Sequence, residues 1–336
     1  MRLDDYLQSC LLHPDWGYYT TRDPFGEAGD FTTAPEISQM FGELVGLSLA
    51  QSWLDQGAPT PFTLAELGPG RGTLMADALR ACARVPGFID AAQICLVEAS
   101  PTLRAAQRET LADHEVTWCD SIADLPDAPL YLIANEFFDA LPIRQFIRQG
   151  DGWAERLVGA TDGELTFGLG PVAPQPALSH RMEDTKDGDL VELRGAATEV
   201  VEETDNRIAQ RGGAALIIDY GDWRALGDTL QALEKHAPAD PLANPGQADL
   251  TAHVDFEALA LACSCAYSRL APQGVFLERL GITDRAQKLA QGLTGAPLQS
   301  HIAAHRRLTH PAEMGNLFKV MGLYPTGQAP PPGTEA

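Results

Sequence analysis

Leu64-Ala65-Glu66-Leu67-Gly68-Pro69-Gly70-Arg71-Gly72-Thr73-Leu74 runs from an apolar segment through three glycines into a second apolar segment. The pattern predicts a buried strand, a tight turn and the start of a helix. Glycines leave no side chains at the crowded points of such a turn, so a ligand can lie against bare backbone at the helix N-terminus. Three cofactor classes use turns of this kind. A Walker loop needs Gly-Lys-Ser/Thr, and Arg71-Gly72-Thr73 supplies no lysine. A nicotinamide-binding loop wants Gly-x-Gly-x-x-Gly, and Thr73 stands where the third glycine belongs. Glu66 narrows the choice further. A carboxylate there repels phosphate but suits the ammonium and sulfonium of S-adenosylmethionine, so Glu66, Gly68, Gly70 and Gly72 are expected to form its binding loop.

The 336-residue chain carries 24 Lys and Arg against 46 Asp and Glu, a formal charge of −22. Nonspecific nucleic-acid binding needs clustered cations, and no basic run is visible, so no nucleic-acid partner is expected. A basic protein segment is the natural partner for such a surface. The six cysteines at 10, 82, 95, 119, 263 and 265 form no Cys-x-x-Cys pair and read as reduced thiols. Met1-Arg2-Leu3-Asp4-Asp5-Tyr6 lacks the apolar core of a signal peptide, and no apolar run reaches transmembrane length. These features predict a cytoplasmic protein with no membrane association.

Outward from the glycine turn, strands and helices alternate. Phe62–Leu67, Ala92–Val97, Glu115–Cys119, Leu130–Ala134 and Ala214–Ile218 read as strands. Thr73–Cys82, Pro101–Leu111 and Ala196–Gln210 read as helices. This alternation predicts an α/β fold with a parallel, doubly wound sheet. Residues 1–58 form a helical N-terminal segment, in which Thr33-Ala34-Pro35-Glu36 fits a capping box opening a helix through Leu47. The main domain is expected over 59–328. It includes an insertion at about 150–190, where Asp151-Gly152 and Asp162-Gly163 mark a β-hairpin. Pro-rich loops are expected at 171–176 and around Pro238, Pro241 and Pro245, a last strand over Leu317–Leu323, and a disordered tail over 329–336.

Successive strand ends of a doubly wound sheet line one crevice. Glu98 ends the second strand, where it can accept from ribose hydroxyls, and Asp120 ends the third, where it can accept from the adenine amino group. Asn135-Glu136-Phe137-Phe138-Asp139 follows the fourth strand, beside the place of the methyl group. If this turn is helical, Glu136 and Asp139 share a face and can meet a forked guanidinium. Alternatively Glu136 caps a helix and Asp139 pairs with Arg144. Asp30, in the loop before the second helix, can reach the cofactor or hold the loop closed; Glu36 can bind substrate or serve only in the capping box, and Tyr18 and Tyr19 can line a substrate channel or anchor the loop. Asp249 and His253 can approach the site, Asp255 is explained by helix capping, and Asp219-Tyr220-Gly221 can close the crevice floor. His301 and His305 are spaced like metal ligands, but no third ligand accompanies them, and no metal is expected.

Taken together, these blocks resemble the MidA-type methyltransferase family, which includes a mitochondrial complex I assembly factor. The resemblance is carried by Gly29 to Leu44, Glu66 to Leu74, Asn135 to Pro142, Gly212 to Leu216 with Asp219-Tyr220-Gly221, and Asp249 to Phe256. It implies a class I, Rossmann-like methyltransferase fold and the cofactor S-adenosylmethionine. It further implies symmetric methylation of arginine on a protein substrate, a respiratory complex I subunit. Two other classes stay open on the residues alone: an assembly chaperone that binds the cofactor without turnover, and a nicotinamide-dependent oxidoreductase.

Overall fold

The computed structural model describes residues 1–21, 33–235 and 237–335. Asp30 and the surrounding Gly29–Thr32 stretch lie outside the described residues. In chain order the first helices are α1 (Leu3–Leu12), α2 (Tyr18–Thr21), α3 (Ala34–Ile37) and α4 (Gln39–Asp55). Then come β1 (Phe62–Leu67), α5 (Thr73–Cys82), α6 (Phe88–Ala91), β2 (Ala92–Val97), α7 (Pro101–Thr110), β3 (Val116–Cys119) and β4 (Leu130–Asn135). An insertion of β5 (Arg144–Gln149), β6 (Gly152–Thr161), β7 (Glu164–Ala173) and β8 (Leu190–Leu193) follows, then α8 (Gly195–Arg211) and β9 (Gly213–Asp222). The last third holds β10 (Gln231–Glu234), β11 (Ala237–Ala239), β12 (Asp249–Thr251), β13 (Val254–Asp255), α9 (Phe256–Leu261), β14 (Ala266–Tyr267) and β15 (Ala271–Pro272). Helices α10 (Gln273–Arg279), α11 (Ile282–Leu289), α12 (Gly295–Thr309) and α13 (Met314–Leu317) lead into β16 (Phe318–Tyr324).

The central sheet has the order β14-β16-β9-β4-β1-β2-β3. β3, β2, β1, β4 and β9 are parallel, so the doubly wound expectation is met. β16 runs antiparallel between β9 and β14, which makes the sheet mixed. Side chains alternate between two apolar layers. Leu64, Ile94, Ile133, Leu216 and Val320 pack under α4 and α5. Ala65, Cys95, Leu132, Ile217 and Met321 pack under α8 and α9. All six residues of β1 are buried, as a strand covered on both faces requires.

Four sequence expectations change here. The capping box does not form: the Thr33 side chain makes no cap bond, and the helix stops after one turn. Ser38 is extended and its Oγ accepts from the Met40 amide, so α4 starts afresh. The insertion is larger than a hairpin. It is a four-stranded antiparallel sheet in the order β7-β6-β5-β8, and β7 extends through Pro171 because an edge strand tolerates a missing donor. The proline-bearing loop after β9 contains a three-stranded sheet, β11-β10-β12. The tail is packed rather than disordered: Ser48 Oγ donates to Pro332 O at 2.7 Å and Thr334 is 1% exposed. Prolines restrict the free chain and so reduce the entropy lost on docking it.

The N-terminal segment also divides. On α1, Leu3, Tyr6, Leu7, Cys10 and Leu11 pack with Ile143, just before β5, and with Val158, Ala232 and Leu250 of the two small sheets. Helix α4 instead joins the core of the central sheet. The Tyr19 hydroxyl donates to Asp249 Oδ1 at 2.7 Å, tying α2 to β12. Among the described residues no helix is long and apolar enough to cross a membrane.

One buried carboxylate joins three helices. Glu43 on α4 is bonded by Arg80 Nη1 of α5 at 2.6 Å and by Arg285 Nε of α11 at 2.7 Å. Burial alone would raise its pKa, but the two guanidinium groups outweigh that and hold it below the usual carboxylate value. Both arginines are partly exposed, so solvent screens part of the attraction. Glu43→Gln is expected to cost about 1–2 kcal/mol in chemical denaturation at neutral pH. A depressed carboxyl stabilises above its unfolded value of about 4.3, and that contribution is lost as pH falls through the folded value. The gap between variant and parent should therefore close below about pH 4.

Candidate active site

The chain runs outward from β1 through β2 to β3, then returns to place β4 on the other side of β1. At such a switch point the turns leaving adjacent strands diverge and open a crevice. A cavity of about 900 Å³ occupies it. Its lining includes Glu66, Gly68, Gly70, Glu98, Asp120, Asn135, Glu136 and Asp139. The structure thus brings together all the predicted site residues that it describes except Gly72, which sits behind the cavity as the N-cap of α5.

The glycine loop is built as its sequence requires. Gly68, Gly70 and Gly72 have φ of 59°, 54° and 82°, the left-handed region that side chains resist. A Cβ on Gly68 would also lie 3.0 Å from the Phe137 ring. One residue the sequence did not single out holds this loop to the next strand end. Gln107 Nε2 donates to Gly70 O at 2.7 Å and to Glu98 Oε2 at 3.1 Å, while its Oε1 accepts from Trp118 Nε1 at 2.9 Å. The available signal was a polar side chain on the Leu103–Gln107–Leu111 stripe of an otherwise amphipathic helix.

Glu98 also accepts from the Ser100 amide at 2.7 Å, and burial raises its pKa. Asp120 differs from its neighbours. Its side chain is 89% exposed at the mouth and pairs with Arg104 Nη2 at 2.6 Å. Glu36 meets the glycine loop from the other side, where its Oε1 accepts from Thr73 Oγ1 at 2.6 Å. Both partners of that bond line the cavity, so Glu36 borders the site instead of closing a capping box.

The turn after β4 is not helical at its first residue, because Glu136 has φ of 50°. Its Oε1 accepts from the Ala34 amide at 3.2 Å and from Asn135 Nδ2 at 3.3 Å. Glu136 therefore serves the first turn of α3, a helix remote in sequence, and still borders the cavity. Asp139 does not pair with Arg144, which bonds Glu155 instead. Asp219, fully buried on β9, fixes the turn: its Oδ2 accepts from the Phe138 and Asp139 amides at 3.0 and 3.1 Å. Arg194 stands behind, donating to the backbone oxygens of Leu141, Ala252 and His253. Tyr220 completes the floor, with its hydroxyl facing Asp139 and Thr251.

The electrostatics are those of a cation site. Burial pushes Glu66 up to about 8, with Glu98 adding to the rise. Burial, and then the charge of Asp139, push Glu136 up to about 8 as well. Asp139 and Asp219 are raised by burial too. Of the seven buried side-chain polar atoms without a partner among the described residues, three are Glu66 Oε2, Asn135 Oδ1 and Asp139 Oδ1. All three residues line this cavity and offer acceptors. An unmet buried acceptor costs about 1–3 kcal/mol, so the arrangement favours a ligand rich in donors and positive charge. S-adenosylmethionine, with its ammonium, ribose hydroxyls and sulfonium, fits that donor set. His301 and His305 lie elsewhere, each on its own partner: Ala286 O at 2.9 Å and Thr283 Oγ1 at 3.1 Å.

Known proteins resemble this chain over most of its length. Residues 44–274 match the family described as "Putative S-adenosyl-L-methionine-dependent methyltransferase". The protein arginine methyltransferase NDUFAF7, mitochondrial, of Xenopus tropicalis is 35% identical over 353 residues, covering 96% of this chain and 82% of the relative. Its human counterpart is 35% identical over 351 residues, covering 96% and 79%. A solved structure from Burkholderia thailandensis, described as a "likely methyl transferase" bound to S-adenosyl-homocysteine, superposes with a TM-score of 0.84 at 30% identity, covering 99% of this chain and 90% of that one.

These likenesses overturn the cytoplasmic expectation, since the relatives are named as mitochondrial. Reduced cysteines separate reducing from oxidising surroundings, not one reducing compartment from another. The nicotinamide and non-enzymatic readings fall away as well. This chain belongs to the S-adenosyl-L-methionine-dependent methyltransferase family: it is a class I methyltransferase with S-adenosylmethionine as its cofactor.

Proposed function

We propose that the chain methylates an arginine guanidinium on a protein substrate. The observation that carries this reading is the pair of unmet acceptors, Asn135 Oδ1 and Asp139 Oδ1, beside the Glu136 carboxylate. A guanidinium is all donors, planar and always charged, and it satisfies several acceptors at separate points. The relatives named as protein arginine methyltransferases support the same choice. The resemblance to the MidA-type family extends the proposal to a subunit of respiratory complex I as the substrate.

In this reading Gly68, Gly70 and Gly72 shape the backbone cradle for the cofactor, and Gln107 keeps it in register with Glu98. Glu66 faces the cofactor's ammonium, Glu98 the ribose hydroxyls, and Asp120 the adenine edge at the mouth. Bound S-adenosylmethionine supplies a methyl group on a positively charged sulfur. The task left to the protein is to align the acceptor and to place negative charge where it helps. Glu136 and Asp139 hold the guanidinium by its far nitrogens and localise positive charge there, which leaves electron density on the attacking nitrogen. Asp219 and Arg194 hold the turn that presents them.

Transfer of radiolabelled methyl groups into a lysate from a strain lacking this chain, followed by identification of the labelled residue, tests the reading. Label on arginine is expected, and label confined to another residue would overturn it. Glu136→Gln should retain the Ala34 contact, lower turnover about 10²–10³-fold and leave cofactor affinity within about twofold. Loss of cofactor binding instead would move Glu136 to the cofactor half. Glu66 must ionise to meet an ammonium. Affinity for S-adenosylhomocysteine should therefore rise from about pH 6 to about pH 8 with proton release. Calorimetry on Glu66→Gln should show weaker binding and a flattened rise.

A further inference from the structure

Methylating a guanidinium releases a proton, which needs an acceptor in the cavity wall. The cavity-lining carboxylates are poor choices. Burial raises Glu136 and Asp139, so a proton taken there stays, and it cancels the charge that holds the substrate. The phenols of Tyr19 and Tyr220, also in the lining, are raised far above their ordinary value by burial and by the neighbouring carboxylates, and they offer no base. His253 is different. It lines the same cavity as Asn135, Glu136 and Asp139, and its ring stands edge-on to Tyr220 at 5.3 Å between centroids. Among the described residues neither ring nitrogen has a hydrogen-bond partner. The backbone beneath the ring is fixed on both sides: its amide donates to Thr229 Oγ1 at 2.9 Å, and its carbonyl accepts from Arg194 Nη1 at 3.2 Å.

Resting on the arginine reading, we propose that His253 is the general base that takes the proton from the guanidinium nitrogen as that nitrogen is methylated. The nitrogen's electron pair forms the new N–C bond while the C–S bond breaks and its pair remains on sulfur. The N–H proton passes to a ring nitrogen of His253 and from there to solvent. The surroundings suit a base that must let go. Arg194 at the start of α8 and Lys319 on β16 face it with positive charge; among the described residues, Tyr220 and Asp219 on β9, Asp139 and Glu136 after β4, Tyr19 on α2 and Asp249 on β12 are the other titratable groups at this end of the cavity. Burial comes first and the two cations next in lowering His253 below its ordinary value, so the ring is neutral and ready at neutral pH.

The test uses the full chain and a synthetic peptide with one central arginine. His253→Gln should bind S-adenosylhomocysteine as the parent does, yet its single-turnover methyl transfer should fall about 100-fold. The parent's rate should decline on the acid side of the ordinary histidine value, and the variant should lose that limb. Imidazole added to His253→Ala should restore part of the rate. In the unaltered protein, the His253 ring resonance should titrate below the ordinary value and shift when the peptide joins the S-adenosylhomocysteine complex. A ring signal indifferent to peptide, or a variant with the parent's rate and acid limb, would overturn the assignment to His253 alone. If the parent methylates no peptide, the protein labelled in the lysate takes the peptide's place, and label confined to a residue other than arginine there would instead overturn the arginine reading on which the proposal rests.

Discussion

β1 and β4 lie side by side and parallel, yet the chain between them travels out to β3 and back. That reversal places the glycine turn after β1 against the Asn135–Asp139 turn after β4. Gly68 and Phe137 approach closely where the two turns meet. A side chain at Gly68 would push them apart. Everything else at the site is arranged around this junction: β2 brings Glu98, β3 brings Asp120, and β9 supplies the carboxylate of Asp219 that holds the second turn.

The site concentrates buried carboxylates, which a folded protein avoids unless a cation answers them. The chain handles the cost in two ways. Asp219 is fully bonded to backbone amides, and Glu43, outside the cavity lining, is answered by two arginines. Glu66 and Asp139 are each left with an unmet oxygen. Acids with a full set of partners and acids with an open oxygen are thus told apart by their surroundings rather than by their burial.

Much of this was legible in the linear chain. Phe62–Leu67, Thr73–Cys82 and Ala92–Val97 read to the residue, because an apolar run between turn-forming residues has few other uses. The acids at the ends of those strands followed from the strand ends. Gln107, Arg194 and the Tyr19–Asp249 pair did not, since each joins elements far apart in sequence and carries no local periodic signal. The same reason explains the errors. Thr33 to Glu36 spells a capping box, but Glu36 finds Thr73 instead, and the proline-rich tail spells disorder, but Ser48 and Phe276 give it a surface to lie on.

The glycine turn and the acid before it could be read from the linear chain alone. The glycines set a backbone shape that other residues resist, and Glu66 sets the charge of what can lie there; both are local properties. The opposite wall of the cavity depends on packing. Glu136, Asp139, Tyr220 and His253 come from three separate segments, and whether an acid is answered by an arginine, by an amide or by nothing depends on what packs over it. That difference gives Asp139 an open oxygen and Asp219 none.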